Sequence, residues 1–370
     1  MKIVADSHIP FIQEYFGGYG ELVLKSGRSI SHEDVRDADM LLVRSITHVD
    51  EKLLAGSKVK FVGSVTAGMD HIDKKWLDEV GIIFRAATGF NSPPVADYVI
   101  SVIAALQNQG LLHQKKIRAA IIGVGNVGRL VVERMKLLNI DITLCDPIRA
   151  EREPDFISST LDELSDLDLI TLHVPLTRTG EHPTYHFIAK DFLQKQKPGC
   201  VLINASRGAV IHSQELFQYG SHLHWCFDVF EHEPNIDRKI LEKTLIATPH
   251  IAGYSVQGKI RGIDMIYRIA CDLQMIEPKP ITPIAMRKQR LTFQGEKSWQ
   301  DIVLGVFNPV VITTMMRTLI LPDEEHGKAF DEMRNQFNYR YELGYTNITG
   351  ARLTNDDTKL LKKLGVEFDF

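Results

Sequence analysis

The sequence has few cysteines, no long apolar run and no block of basic residues, and each shortage removes a class of protein. Cys145, Cys200, Cys226 and Cys271 are the whole complement, scattered without a CxxC pair. Neither a zinc site nor a disulfide framework is expected from them, and small buried hydrophobes are the better reading; no metal is expected. The longest apolar stretches are broken by Gly, Pro or charge well short of a membrane span, and the chain opens directly on the strand-like MKIVADSHIP. A cytoplasmic protein with no membrane partner is the expectation. The net charge is −4, with no basic run interleaved with aromatics, which argues against nucleic acid as a partner.

What remains is an ordinary globular composition, 44% hydrophobic and 24% charged, over 370 residues. That length implies two or three compact units, each with a full core. KIVAD, ELVLKSG, MLLVRS, KFVGSVT and IIFRAAT are short, rich in Val, Ile and Phe, and end in polar residues or Gly, as buried parallel strands do. Helix-like segments such as HVDEKLLAG and KKWLDEVG alternate with them, a βαβ rhythm. A second series runs through RAAIIGVG, DITLCD, LDLITLH, CVLINAS, HWCFDV and TLIATPH. The fold class expected is α/β, with two doubly wound parallel-sheet domains of the Rossmann or flavodoxin-like kind.

Two long amphipathic segments, NSPPVADYVISVIAALQNQG and SVQGKIRGIDMIYRIACDLQ, flank the second series. They suggest a chain that enters the second domain and then returns to the first. The expected boundaries are therefore 1–94 plus 255–280 for a discontinuous first domain and 95–254 for the second. After the proline-rich EPKPITP, residues 281–370 read as a small α+β segment.

Gly123-Val124-Gly125-Asn126-Val127-Gly128 follows the strand RAAIIG and opens the helix GRLVVERMKLL. GxGxxG alone is a weak signal, but in that placement glycines let backbone approach a pyrophosphate and the helix N-terminus offers it unpaired N–H groups. Asp146 ends the next strand about twenty residues on, where a carboxylate accepts ribose hydroxyls and repels a 2′-phosphate. NAD is the expected cofactor, with Arg149 nearby as the one feature that complicates the preference over NADP.

Arg207 follows the strand CVLIN, Glu233 the strand HWCFDV, and His250 the strand TLIAT. Ligands bind at that carboxyl edge of open α/β sheets. Arginine holds a carboxylate with paired hydrogen bonds, and histidine moves a proton at neutral pH with help from a neighbouring carboxylate. Together, beside a nicotinamide, they are the parts needed to oxidise a 2-hydroxy acid. Singly each has a plainer role: His250 as a satisfied core residue, Arg207 as a strand-end ion pair, Glu233 as a turn residue with Glu231 competing for its place. Arg44 and Ser45, at the end of MLLV, could receive a phosphate dianion, and Lys259 and Arg261 are further candidates.

GVGNVG, HVPLT, INASRGAV, DVFEHEP and TPHIAGY resemble the successive signatures of the D-isomer-specific 2-hydroxyacid dehydrogenase family, and SVTAGMDHID resembles its substrate loop. VADSHIPF, LLVRSIT, LCDPIRA, HIAGYSVQGKIRG and FDEMRNQFNYRYE are similar to one branch of that family, which oxidises a phosphorylated four-carbon 2-hydroxy acid with NAD in pyridoxal phosphate biosynthesis. The resemblance implies that His250 is the catalytic base, Glu233 its partner and Arg207 the anchor for the carboxylate and C2 oxygen. It further implies that Ser206 and Gly208 line the cofactor, that Asp228 and Gly253 are nicotinamide-side contacts, and that Val174 occupies a cofactor-lining position without the hydroxyl of relatives that carry threonine. Ser45, Thr66, Ala67, Gly68 and Tyr254 are implied as substrate contacts, and the C-terminal segment as a dimerisation domain of a homodimer. Two other readings stay open: a relative acting on phosphoglycerate, glyoxylate or hydroxypyruvate, and an NAD-sensing protein without turnover.

Overall fold

The computed structural model describes residues 1–112, 116–280, 286–321, 326–337 and 340–369. The last part of the proline-rich boundary, from residue 281, lies outside them, as do residues 323–325, 338 and 339 of the C-terminal motifs. The chain divides into two compact units, residues 1–91 with 256–286 and residues 92–255 with 287–370.

The first unit carries β1 (Lys2–Asp6), β2 (Glu21–Lys25), β3 (Met40–Val43), β4 (Phe61–Ser64) and β5 (Ile83–Ala86), all parallel, in the order β2-β1-β3-β4-β5. Side chains alternate between faces along a strand, and both faces here are covered. Ile3, Ala5, Met40 and Leu42 enter one core with Ile263 and Ile266, while Val4, Leu41 and Val43 enter the other with Leu54 and Leu77. That double burial is why these strands read as unbroken apolar runs. The helix Val256–Asp272 belongs to this unit and supplies Ile263 and Ile266.

The second unit carries β6 (Arg118–Ile122), β7 (Asp141–Cys145), β8 (Leu169–Leu172), β9 (Val201–Asn204), β10 (His224–Phe227) and β11 (Ile246–Ala247), again parallel, in the order β11-β10-β9-β8-β6-β7. Alternation repeats: Ala119 and Ile121 face one core, Ala120 and Ile122 the other. The helix Ser92–Asn108 has Pro93 and Pro94 in its first turn, where a missing N–H costs nothing. It is buried along most of its length against the helices Asn126–Leu137 and Trp299–Val306. Asp97 on this helix accepts from Arg134 and from the backbone N–H of Leu343.

Residues 287–370 form a third sheet, β12 (Gln289–Glu296), β13 (Thr346–Arg352) and β14 (Glu367–Phe368), parallel in that order. They share the second unit because their helices complete its cores: Trp299, Ile302 and Val303 pack on one face, Met316, Ile320 and Phe330 on the other. Among the described residues no single helix is long and apolar enough to cross a membrane; the bent pair Trp299–Val306 and Pro309–Ile320 passes only in combination.

Candidate active site

The second sheet reverses its winding between β6 and β8, since the chain runs outward from β6 to β7 and then returns to the other side of β6. A crevice opens at the carboxyl ends of strands at such a point. The glycine loop lies there. Gly123 has φ +88°, and a Cβ on it would stand 2.6 Å from the carbonyl oxygen of His173, just after β8, so only glycine permits the two strand ends to meet. Gly125, by contrast, faces open space, with nothing within 4 Å of where a Cβ would be. Asn126, Val127 and Gly128 open the helix Asn126–Leu137, whose first N–H groups have no partner within the helix. A bare, glycine-walled space beside free N–H groups fits a pyrophosphate.

Asp146, at the end of β7, accepts from the N–H of Val124 at 2.7 Å through one oxygen and from the N–H of Arg149 at 3.0 Å through the other. Each oxygen keeps a second lone pair for a ribose hydroxyl. The Arg149 question resolves against a 2′-phosphate. Its Nε donates to Glu153 at 2.8 Å, its Nη1 to the Val124 carbonyl at 3.1 Å, and its guanidinium lies 4.2 Å from the Phe156 ring centre. His173 and Val174 line the same strand end; burial pushes the His173 imidazole down to about 3, which keeps it neutral.

Arg207, Glu233 and His250 all stand at carboxyl ends of neighbouring strands, after β9, β10 and β11. Asn204 shapes the first turn: its carbonyl oxygen accepts from the N–H and hydroxyl of Ser206, and its amide donates to the Arg207 carbonyl at 2.9 Å. Sequence reasoning passed over Asn204; its place at the last position of a strand before SRG was the available signal. Gly208 then lets this turn touch the next loop, because a Cβ there would fall 1.9 Å from the Phe230 carbonyl and 2.3 Å from the Glu231 nitrogen.

The competition between Glu231 and Glu233 is decided by geometry. Glu231 pairs with His186 at 2.5 Å and accepts from the Ser213 N–H. Glu233 pairs with His250, Oε2 to Nδ1 at 2.7 Å, and its Oε1 accepts from the Phe230 N–H at 2.7 Å. Burial pushes the Glu233 carboxyl up, but the charge and hydrogen bond of His250, the Phe230 N–H and the charge of Arg334 outweigh it and hold Glu233 below the usual carboxylate range. With Nδ1 committed to Glu233, the imidazole presents Nε2 as its proton acceptor.

His250 is itself held in the left-handed region, φ 57°, by what surrounds it. Asp228 is buried and accepts from the Thr248 hydroxyl at 2.6 Å and from the N–H groups of Ile251 and Ala252 at 2.8 and 2.9 Å, while its carbonyl accepts from the His250 N–H at 2.7 Å. The Asp228 carboxylate, expected as a nicotinamide-side contact, is thus also the clasp of the His250 turn. Gly253 and Tyr254 continue that turn, and the Tyr254 hydroxyl accepts from Arg334 Nε at 2.9 Å.

In the first unit the corresponding reversal lies between β1 and β3. Arg44, just after β3, donates through Nε to the fully buried Asp6, the last residue of β1, at 2.8 Å. Ser45 beside it is exposed. Thr66 donates to the Gly68 carbonyl at 3.2 Å and meets Ser64, which meets His71, so the Thr66-Ala67-Gly68 turn is pinned after β4. Burial, and then the charge of Arg44, lower the Lys259 ammonium to about 8. Arg261 donates through Nε to the Phe90 carbonyl. Glu151, Glu181 and His182 are the grouping among the described residues spaced for a metal ion; they sit on the surface, with His182 bonded to Glu151 at 2.7 Å.

Residues 105–252, within the second unit, match the model of the D-isomer specific 2-hydroxyacid dehydrogenase, NAD binding domain, and are an NAD-binding domain. Over 366 residues, 98% of each chain, the sequence is 42% identical to the erythronate-4-phosphate dehydrogenase of Coxiella burnetii. It is 39% identical to the Marinobacter nauticus protein of the same name, over 94% of each chain. Among solved structures, NAD-bound 3-phosphoglycerate dehydrogenase of Entamoeba histolytica superposes with a TM-score of 0.62 at 24% identity, covering 74% of this chain and 95% of that one. That likeness establishes the fold.

Two alanine substitutions separate the roles of the glycines. Gly208→Ala forces the Arg207 and Glu233 loops apart and is expected to lower stability by about 1–3 kcal/mol in urea denaturation. Gly125→Ala meets nothing, so stability should stay within about 0.5 kcal/mol of the parent. Its methyl group would nonetheless occupy the cradle, and calorimetry should record NAD affinity falling by about tenfold or more.

Proposed function

We propose the function from one premise: this chain belongs to the D-isomer-specific 2-hydroxyacid dehydrogenases, and within them to the erythronate-4-phosphate dehydrogenases. The reaction is oxidation of 4-phospho-D-erythronate at C2 to (R)-3-hydroxy-2-oxo-4-phosphooxybutanoate, a step of vitamin B6 biosynthesis. The observation that carries this reading is the Glu233–His250 pair at 2.7 Å, on the same sheet edge as Arg207 and next to an NAD cradle.

NAD, when bound, supplies the acceptor for the hydride that leaves C2. His250 Nε2 takes the proton of the C2 hydroxyl as that hydride leaves, and Glu233 stabilises the imidazolium and fixes its orientation. Arg207 holds the substrate carboxylate and C2 oxygen, so the developing carbonyl forms beside a fixed positive charge. When NAD is bound, Asp146 would take the adenosine ribose, Ser206, Gly208 and Val174 would line the cofactor, and Asp228 and Gly253 would lie on its nicotinamide side. Ser45, the Thr66-Ala67-Gly68 turn and Tyr254 contact the substrate. Its phosphate falls to Arg44 and Lys259, because the Lys259 ammonium is held down by burial first and by the Arg44 charge second, and a dianion offsets both.

Purified protein should reduce NAD with 4-phospho-D-erythronate and not with 3-phosphoglycerate or unphosphorylated erythronate, and His250→Ala should lower kcat by about 10²–10⁴-fold. Lys259→Met should raise KM for 4-phospho-D-erythronate and leave KM for NAD unchanged. In the parent enzyme KM should climb as pH rises through about 8, where Lys259 loses its proton. Equal or better use of 3-phosphoglycerate would move the assignment to a sister activity, and absence of turnover with every substrate would leave an NAD-sensing protein.

A cytoplasmic homodimer completes the reading. On the helix Pro309–Ile320, Thr313, Met316 and Ile320 are buried, while Val311, Met315 and Leu319 remain 54%, 48% and 49% exposed at fourfold spacing. An uncovered apolar stripe on a helix suits a self-complementary contact. Ultracentrifugation should find a dimer, and Met315→Glu should shift it toward monomer; a monomeric parent protein would refute this contact.

A further inference from the structure

The segment read from sequence as a dimerisation element also reaches the reaction site. In the helix His326–Gln336, Phe330 is buried in the same core as Phe227 and Phe230, the end of β10 and the start of the Glu233 loop. Near its start the helix lies directly on that loop, since a Cβ on Gly327 would fall 2.2 Å from the Asn235 side-chain oxygen. Arg334 is four residues beyond Phe330 and so shares its inward face. Its Nε donates to the Tyr254 hydroxyl at 2.9 Å, and its Cζ stands 5.7 Å from the Tyr254 ring centre. Burial works against the Arg334 charge, but Tyr254, then Glu233 and Asp228, outweigh it and hold the guanidinium above its usual range.

We infer that Arg334 is a positioning residue for the reaction, acting on Tyr254 through its hydrogen bond and on the Glu233–His250 pair through its charge. A phenol has one proton. Because Tyr254 accepts from Arg334, its own proton points away from the guanidinium, and a charged donor makes that O–H a stronger one. The charge of Arg334 is among the influences that hold the Glu233 carboxyl below its usual range, and without it the Glu233–His250 pair as a whole would be more negative and would hold a proton more readily. The ionisable groups that act on the pair are Asp228 and Arg334, and Arg340, which donates to the carbonyls of Ala252 and Pro94, also acts on Asp228.

The inference rests on the dehydrogenase reading, and the experiment keeps the two apart. Arg334→Met and Arg334→Lys are compared with the parent enzyme by pH profile, alone and in a Tyr254→Phe background. His250 is followed separately by NMR titration of ¹³C-histidine-labelled protein, assigned with His250→Ala. In Arg334→Met the acid limb of kcat/KM and the His250 titration midpoint should both move to higher pH, and Arg334→Lys should bring both back. KM should rise several-fold in Arg334→Met, and much less once Tyr254 is already Phe, because the two residues act as one unit.

An unmoved His250 midpoint in folded Arg334→Met, or strictly additive effects with Tyr254→Phe, would overturn the inference. If the parent enzyme turns over no 2-hydroxy acid, the dehydrogenase reading fails and the NMR titration alone decides the electrostatic role. If Arg334→Met does not fold, Arg334→Gln takes its place: a KM effect that shrinks once Tyr254 is Phe, with the His250 midpoint moved up, supports the inference, and strict additivity or an unmoved midpoint refutes it.

Discussion

A buried carboxylate with both oxygens engaged is the constraint on which the site depends. Asp228 is almost wholly inaccessible, and burial pushes its carboxyl up, with His250, Thr248 and the N–H groups of Ala252 and Ile251 pulling the other way. An unpaired charge there would cost several kcal/mol. The hydrogen bonds that offset this cost are also the ones that fold residues 248–252 back onto β10. His250 takes a backbone conformation that costs a non-glycine residue on the order of 1–3 kcal/mol, and the clasp holds it there. Asp228 therefore fixes the backbone that carries His250, and Glu233 orients its imidazole.

The same physical device appears twice in the chain. In each unit a parallel sheet reverses its winding, and functional groups collect where adjacent strand ends diverge. In the second unit that place holds the glycine loop against His173; in the first it holds Arg44 against Asp6. Both need backbone or charge brought unusually close, and in the second a glycine permits it. Residues 287–370 add a sheet of their own, yet they are tied to the second unit by filling both of its cores, and Asp97 joins the two through Arg134 and Leu343.

The inner strands were legible because double burial makes them apolar along their length: MLLV, and VLI before Asn204, need no periodicity to be recognised. The cofactor loop was legible because its chemistry is local, with glycines, helix start and Asp146 inside one βαβ unit. Which of two glutamates serves His250 was not, since Glu231 and Glu233 are two residues apart and only the third dimension shows one turned to His186 and the other to His250. Arg149 looked able to favour a 2′-phosphate until its partners Glu153, Val124 and Phe156 were seen. Arg334 was invisible for the same reason in stronger form: it meets Tyr254 across eighty positions of chain, and nothing in the spacing of the family's motifs encodes that contact.

The central claim is that this site removes a hydride from C2 of a phosphorylated hydroxy acid while His250 takes the hydroxyl proton. The most direct test is to supply 4-phospho-D-erythronate carrying deuterium at C2 and to follow the label by mass spectrometry and the rate by absorbance. The account predicts that the deuterium appears in NADH and that the chemical step slows in single turnover. NADH formed without label, or label lost to water, would contradict it.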